Sequence, residues 1–355
     1  MATSSIPERG LPSAAPARHV RPLAQPDAAL GDRVLRYFCL AAAFVPAGLL
    51  LVLALVMLVR AWPAIRFSGL GFFVGHSWNF GNFYVDTHTV RNGVSAPFHA
   101  VYGAAPMIIG TLFSSIIALV LAIPIAVGGV LLLVERIPQR FQNGLGVFLE
   151  LLAGIPSVVY GLWGIVIFGP LVAHYLFPFL TRILGWIPIF REPVGQGQGL
   201  LTASLVLAVM VVPIIAATTR DLLRTVPVLH KEGALAIGMT RLEVVRVVVI
   251  PFVRSGVVAA SLLGWARALG ETMAVLMLVG NAFNFPYNIY APTTTIASVI
   301  ASQLDSALTD ATGTAVAALA FAGLVLLAIT LATNWAARSI VRRTSGAALP
   351  VGAGF

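Results

Sequence analysis

Charge is what this sequence has least of. Only 10% of its 355 residues are Asp, Glu, Lys or Arg, against roughly 25% in an average soluble domain. A water-soluble fold of this length could not cover its surface with so few, which excludes a cytosolic enzyme. Lysine occurs once, at Lys231 behind His230, and the chain has no GxxxxGK[ST] loop to cradle a nucleotide's phosphates. The single cysteine, Cys39, rules out an internal disulfide and any CxxC motif. The six histidines are scattered without HExxH or comparable ligand spacing, so neither a metal nor a cofactor is expected.

What the chain has in quantity is apolar sequence: 59% of residues are hydrophobic and the mean hydropathy is +0.94. A membrane-spanning helix needs about 20 mostly apolar residues. Six stretches qualify, at about 38–59, 107–134, 147–170, 200–219, 255–280 and 314–337. The first is too long for a signal-peptide core and no small-residue cleavage site follows it, so it reads as a retained helix. Pro124, Pro156 and Pro213 lie inside these stretches, where neighbouring helices can satisfy the freed backbone groups. An all-α integral membrane protein with about six transmembrane helices is expected. The first 30 residues, rich in Pro and Ala, read as a disordered tail.

The charges that remain are lopsided, 22 basic against 13 acidic, for a formal net of +9. With six spans, 16 of the 22 basic residues fall on one side: before helix one, after helix two, between helices four and five, and after helix six. The positive-inside rule makes that side cytoplasmic, along with both termini. The basic excess is thus a topology signal and not a nucleic-acid surface. On the other side, residues 60–106 are rich in Gly and aromatics, a composition suited equally to resting on headgroups or to docking a partner. Thr293–Thr295 open a run through Leu308 with the pattern of a short amphipathic helix.

The loop between helices four and five is the most informative segment. It runs from Lys231, Glu232, Gly233 and Ala234 through Gly238 to Pro251. This pattern predicts a short amphipathic helix, a glycine turn, and a second helical stretch broken before Pro251. Its small residues leave one flat face, suited to a groove on a cytosolic partner. The same helix with its basic flanks would also suit the surface of anionic membrane lipid.

Helix five carries two charges within its span, Arg267 and Glu271. Thirteen residues separate Arg267 from Arg254, about 20 Å at 1.5 Å per residue. Intramembrane charges cost roughly 2.5–3.5 kcal/mol on insertion scales and face a bundle interior or a water-filled path. Spacing i, i+4 places the two on one face, in the less favourable Arg-then-Glu order, which a further partner would help to justify. Two readings stay open, an anion path and an ion bridge that fixes helix packing. Glu150, near the start of helix three, reads as a snorkelling side chain or a vestibule lining. Gly154, Gly161 and Gly164 read as points of close helix approach.

The 231–251 loop resembles the EAA loop of ABC-importer permeases, with Glu232, Ala234, Gly238 and Pro251 at matching positions and Gly233 where the family has Ala. The stretches 154–164 and 267–274, together with 31–33, 110–112 and 295–298, resemble the phosphate-specific branch, and its PstC type more than the PstA type. The resemblance covers about residues 31–340. It implies a type I ABC importer permease architecture. A transmembrane permease domain would span 31–340 with a coupling loop at 228–252, flanked by tails at 1–30 and 341–355. It implies a permease subunit of an ATP-driven phosphate importer in a prokaryotic plasma membrane, not itself an enzyme. The partners implied are a second permease subunit of the PstA type, a cytosolic ATPase dimer, and an extracytoplasmic phosphate-binding protein. Glu232, Gly233, Ala234, Gly238 and Pro251 would couple to the ATPase, and Arg267 and Glu271 would line the path of inorganic phosphate. The alternatives are an importer for another oxyanion and, less favoured, an ion-coupled secondary transporter, for which the sequence shows no clear internal repeat.

Overall fold

The computed structural model describes residues 26–345 except residue 86 and residues 192–196; the side chains of 26–30, 139 and 340–345 are not described. Most of the two expected tails thus lies outside the described residues. The chain divides into two units, Met1–Leu53 and Ala54–Phe355. Helix α1, Pro26–Ser68, begins in the first unit, where Phe38, Phe44 and Leu49 are exposed, an apolar surface that lipid would cover.

In the second unit, α1 ends at Ser68 and is followed by the short α2, Gly71–Val74, and four short strands. These are β1 (Trp78–Asn79), β2 (His88–Arg91), β3 (Val94–Pro97) and β4 (Val101–Tyr102). β2 and β3 form an antiparallel hairpin turned by Asn92-Gly93, both at positive φ, the sequence that a two-residue type I′ turn selects. β1 pairs with β4, which sets Trp78 opposite Tyr102. Some of the aromatic residues of this segment build a core of their own, while Phe73, Tyr84 and Phe98 stay exposed. Phe72, Trp78, Phe80 and Tyr102 are buried with Phe321, and the Trp78 indole donates to Gln303 Oε1 at 2.7 Å.

Five further helices are long and apolar enough to cross a membrane, six in all among the described residues. α3 covers Ala105–Arg136. The amphipathic α4 (Gln139–Ala153) and the spanning α5 (Ser157–Leu184) follow. α6 covers Leu200–Arg224, and α7 is the loop helix Val228–Ala236. α8 covers Arg241–Leu269, and Met273–Leu278 forms the short α9. α10 is Ile296–Leu308 and α11 is Thr314–Ser345. The expected amphipathic run after Thr295 is therefore a helix, started by a capping box between Thr295 and Ser298.

α3 and α6 make the most extensive helix pair, and the sequence explains why. Ser114, Ala118, Ala122, Ala126 and Val130 recur every four residues on α3, and all are buried. Such a strip of small side chains lets two backbones approach closely where lipid offers no hydrophobic drive for association. α6 is the central helix, with α8 and α4 packed on it.

Three expectations are corrected. The third span starts at Ser157 rather than 147, because Gly154-Ile155-Pro156 ends α4 and begins a new helix. The fifth span ends at Leu269 rather than 280, with a break at 270–272 before α9. Pro251 does not break its helix: a wide π-type turn at Val245–Val249 absorbs the missing N–H, and the helix continues through it.

Candidate functional site

Two regions carry the chemistry that the sequence singles out. In the first, Arg267 occupies the last turn of α8, and Glu271 lies in the break between α8 and α9. Both Arg254 and Arg267 lie on α8, so the rise of about 20 Å between them holds. The Arg267 side chain is 49% exposed, whereas that of Glu271 is only 8% exposed. Arg267 Nη2 sits 4.0 Å from Glu271 Oε2, an electrostatic contact too long for a hydrogen bond. Because the helix has ended, the break places the carboxylate, not the regular i, i+4 geometry of a continuous helix. The result is a half-open guanidinium backed by a buried negative charge.

The two segments that carry the phosphate-branch resemblance pack against each other. A Cβ added at Gly161 would lie 2.8 Å from Met277 Sδ and 3.1 Å from Ala274 Cα. One at Gly164 would lie 2.8 Å from Leu278 Cδ2. These two glycines are therefore close-approach positions that let α5 seat α9, and with it the break holding Glu271. Gly154 differs: it caps α4 and meets no other element closely. On the opposite flank the Trp265 indole donates to Ser115 Oγ on α3 at 3.2 Å, tying down the turn that presents Arg267.

The second region is α7 and its exit. Glu232 and Gly233 are exposed, and Ala234 is buried against the core. Around them Val228, Leu229 and Ile237 expose apolar surface. Gly238 has φ +90° and open space around its Cα, so backbone conformation alone demands glycine there. Its N–H donates to Leu235 O at 3.0 Å while Met239 N–H donates to Ala234 O at 3.2 Å, the paired bonds of a Schellman stop. Thr240 then restarts the chain as a helix through a capping box with Glu243. Pro251 lies beyond this, in α8 itself. Lys231 Nζ pairs with Glu135 Oε1 at 2.6 Å, anchoring α7 to the end of α3.

One pair was not foreseen. The Glu150 Oε1 accepts from Arg220 Nη2 at 2.8 Å. Arg220 is buried, with 9% of its side chain exposed against 57% for Glu150. The guanidinium lies over Gly146 of α4, where any Cβ would overlap it. The legible signal was Gly146 and Glu150, i and i+4 on one amphipathic helix; nothing in the sequence names Arg220, which sits beside Asp221 and four residues before Arg224, as their partner.

Six membrane-crossing helices, a stopped and restarted loop helix, and a charge pair at a helix break define a multi-pass membrane transport protein. A family model described as the binding-protein-dependent transport system inner membrane component matches residues 119–346. The "Phosphate transport system permease protein PstC 1" of Mycobacterium bovis is 54% identical over 301 residues, 84% of this chain and 89% of that protein. The PstC protein of Pasteurella multocida is 38% identical over 299 residues, 82% and 87% of the two chains. A solved bacterial ABC transporter involved in the import of the acidic polysaccharide alginate superposes with a TM-score of 0.53. It is 16% identical and covers 88% of this chain and 99% of that one, a likeness of fold alone. The chain belongs to the binding-protein-dependent transport system inner membrane component family.

Proposed function

We propose that this chain is a permease subunit of an ATP-driven importer of inorganic phosphate. Relatives at 35–54% identity over most of the chain carry the phosphate permease name, which supports the substrate. In this reading a second permease subunit of the PstA type completes the path and a cytosolic ATPase dimer drives it. An extracytoplasmic phosphate-binding protein delivers the substrate. The chain sits in a prokaryotic plasma membrane with both termini cytoplasmic, as its charge bias favours.

The observation that carries the mechanism is the half-open Arg267 guanidinium with Glu271 behind it, 4.0 Å away. A guanidinium offers paired donors to a tetrahedral oxyanion. A carboxylate held out of hydrogen-bond reach offsets its charge, so the anion is attracted without being trapped. That carboxylate can also accept a hydrogen bond from a protonated phosphate oxygen, which sulfate lacks at neutral pH. On the cytoplasmic side, α7 with Glu232, Gly233 and Ala234 docks on the ATPase, and the Gly238 stop fixes its length. Pro251 acts at a distance, by keeping the start of α8 widened.

The test is binding-protein-dependent uptake of labelled phosphate, with sulfate and molybdate as competitors. Arg267→Gln abolishes uptake while the complex still assembles, and Glu232→Lys loses the ATPase on co-purification. Normal uptake by the Arg267 variant refutes the path, and loss of assembly in that variant assigns the pair to packing.

A further inference from the structure

A pocket of about 470 Å³ opens where the end of α3, the inner side of α7 and the first turns of α8 meet. Its floor is apolar, formed by Gly128, Leu131 and Leu132 of α3, Leu235 of α7, and Leu242 and Ile250 of α8. Its rim is cationic: Arg136, Lys231, Arg241 and Arg246 face it, with Glu135 the single acid. Glu135 is taken by Lys231 at 2.6 Å. Arg136, Arg241 and Arg246 are exposed and form no ion pair among the described residues. Three arginines therefore remain uncompensated around one opening.

The polarity is graded along the membrane normal. Gly128 and Arg136 are eight residues apart on α3, about 12 Å of helix rise, so the apolar floor reaches into the hydrocarbon while the cations stay at the headgroup level. A free anion would satisfy the rim and leave the floor wet. An uncharged acyl chain would fill the floor and leave three cations unpaired. A ligand with both a phosphodiester and an acyl chain matches the whole pocket, and basic pockets between spanning helices are suited to such headgroups.

We propose that this pocket binds an anionic phospholipid. Its phosphate joins Arg136 of α3 to Arg241 and Arg246 of α8, and one acyl chain lies over Leu131, Leu132 and Ile250. The lipid then staples the start of α8 to α3 beside the Lys231–Glu135 pair, so the position of α7 depends on lipid charge. The proposal depends on the chain spanning a membrane and is independent of what it transports.

Native mass spectrometry of the full-length chain in its assembled complex, exchanged into phosphatidylglycerol or phosphatidylcholine, tests this. Near-surface arginines together give a preference for the anionic lipid on the order of a hundredfold. In Arg136→Gln/Arg241→Gln/Arg246→Gln that preference disappears, and Arg182→Gln, in the last turn of α5 and not part of the pocket lining, leaves it unchanged. Should the triple variant not assemble, Leu132→Glu keeps the arginines and is expected to lose the bound lipid while still co-purifying with its partners. Equal retention of the two lipids overturns the proposal. So does phosphatidylglycerol bound undiminished by the triple variant or by Leu132→Glu. Glycerol phosphate competing as well as the intact lipid overturns it too, since the site would then take a free phosphate. Protection of the three arginines by the ATPase in a lipid-free complex would show that a protein covers them.

Discussion

Gly146→Ala separates what the backbone prefers from what the Arg220–Glu150 pair demands. Position 146 lies inside α4, where alanine is favoured over glycine by roughly 1 kcal/mol. Propensity alone therefore makes the substitution stabilising. The added methyl, however, overlaps the Arg220 guanidinium, which is buried and has little room to withdraw. Moving it breaks the 2.8 Å bond to Glu150. Bonds to charged groups are worth about 1.5–3 kcal/mol, and the exposure of Glu150 discounts this to about 1–2 kcal/mol. Arg220 also leans on Asp221 at 3.6 Å, a weaker contact that does not replace it. The net in the native background is therefore between about zero and about 1 kcal/mol of destabilisation. In an Arg220→Met background the obstacle is gone, and the same substitution stabilises by up to about 1 kcal/mol. The assay is unfolding free energy in detergent micelles for the four members of the cycle. Equal effects in both backgrounds, within about 0.5 kcal/mol, would show that Arg220 does not constrain α4 and would refute the reasoning.

Other outcomes follow from single features. Gly238→Ala places a side chain at φ +90° and costs about 1–2 kcal/mol; denaturation should show the loss, together with weaker ATPase co-purification. Thr111→Val removes the hydroxyl that accepts from the buried Ile296 N–H at 3.0 Å, a cost of about 1–3 kcal/mol, read as faster amide exchange at Ile296. Tyr102 is buried, its hydroxyl has no hydrogen-bond partner among the described residues, and burial followed by the nearby Asp310 charge raises its pKa. Above pH about 10 the unfolded chain therefore releases a proton that the folded one retains, so stability falls as pH rises. Tyr102→Phe should flatten that alkaline limb; an unchanged slope would assign it to another group.

The spans were legible because a membrane admits only backbones that satisfy themselves, and apolar runs of about 20 residues mark them without any tertiary knowledge. Span ends were less so. Gly154-Ile155-Pro156 and Gly270-Glu271-Thr272 sit in apolar surroundings, and hydropathy averages across such breaks. The β2–β3 hairpin was written in Asn92-Gly93, a signal overshadowed by the aromatic composition around it.

The sequence by itself determined the six spans, the basic excess at one end, and the stop-and-restart around Gly238, because these rest on hydropathy, charge and local dihedral preference. Tertiary structure decided which charges meet. Glu271 lies four residues from Arg267 in the chain, yet their 4.0 Å separation comes from a helix break seated against Gly161 and Gly164. Arg220 and Glu150 are seventy residues apart and in hydrogen-bond contact. Local preference spans a few residues, whereas such half-buried ion pairs are set by how close two backbones can come, and small residues distant in sequence control that approach.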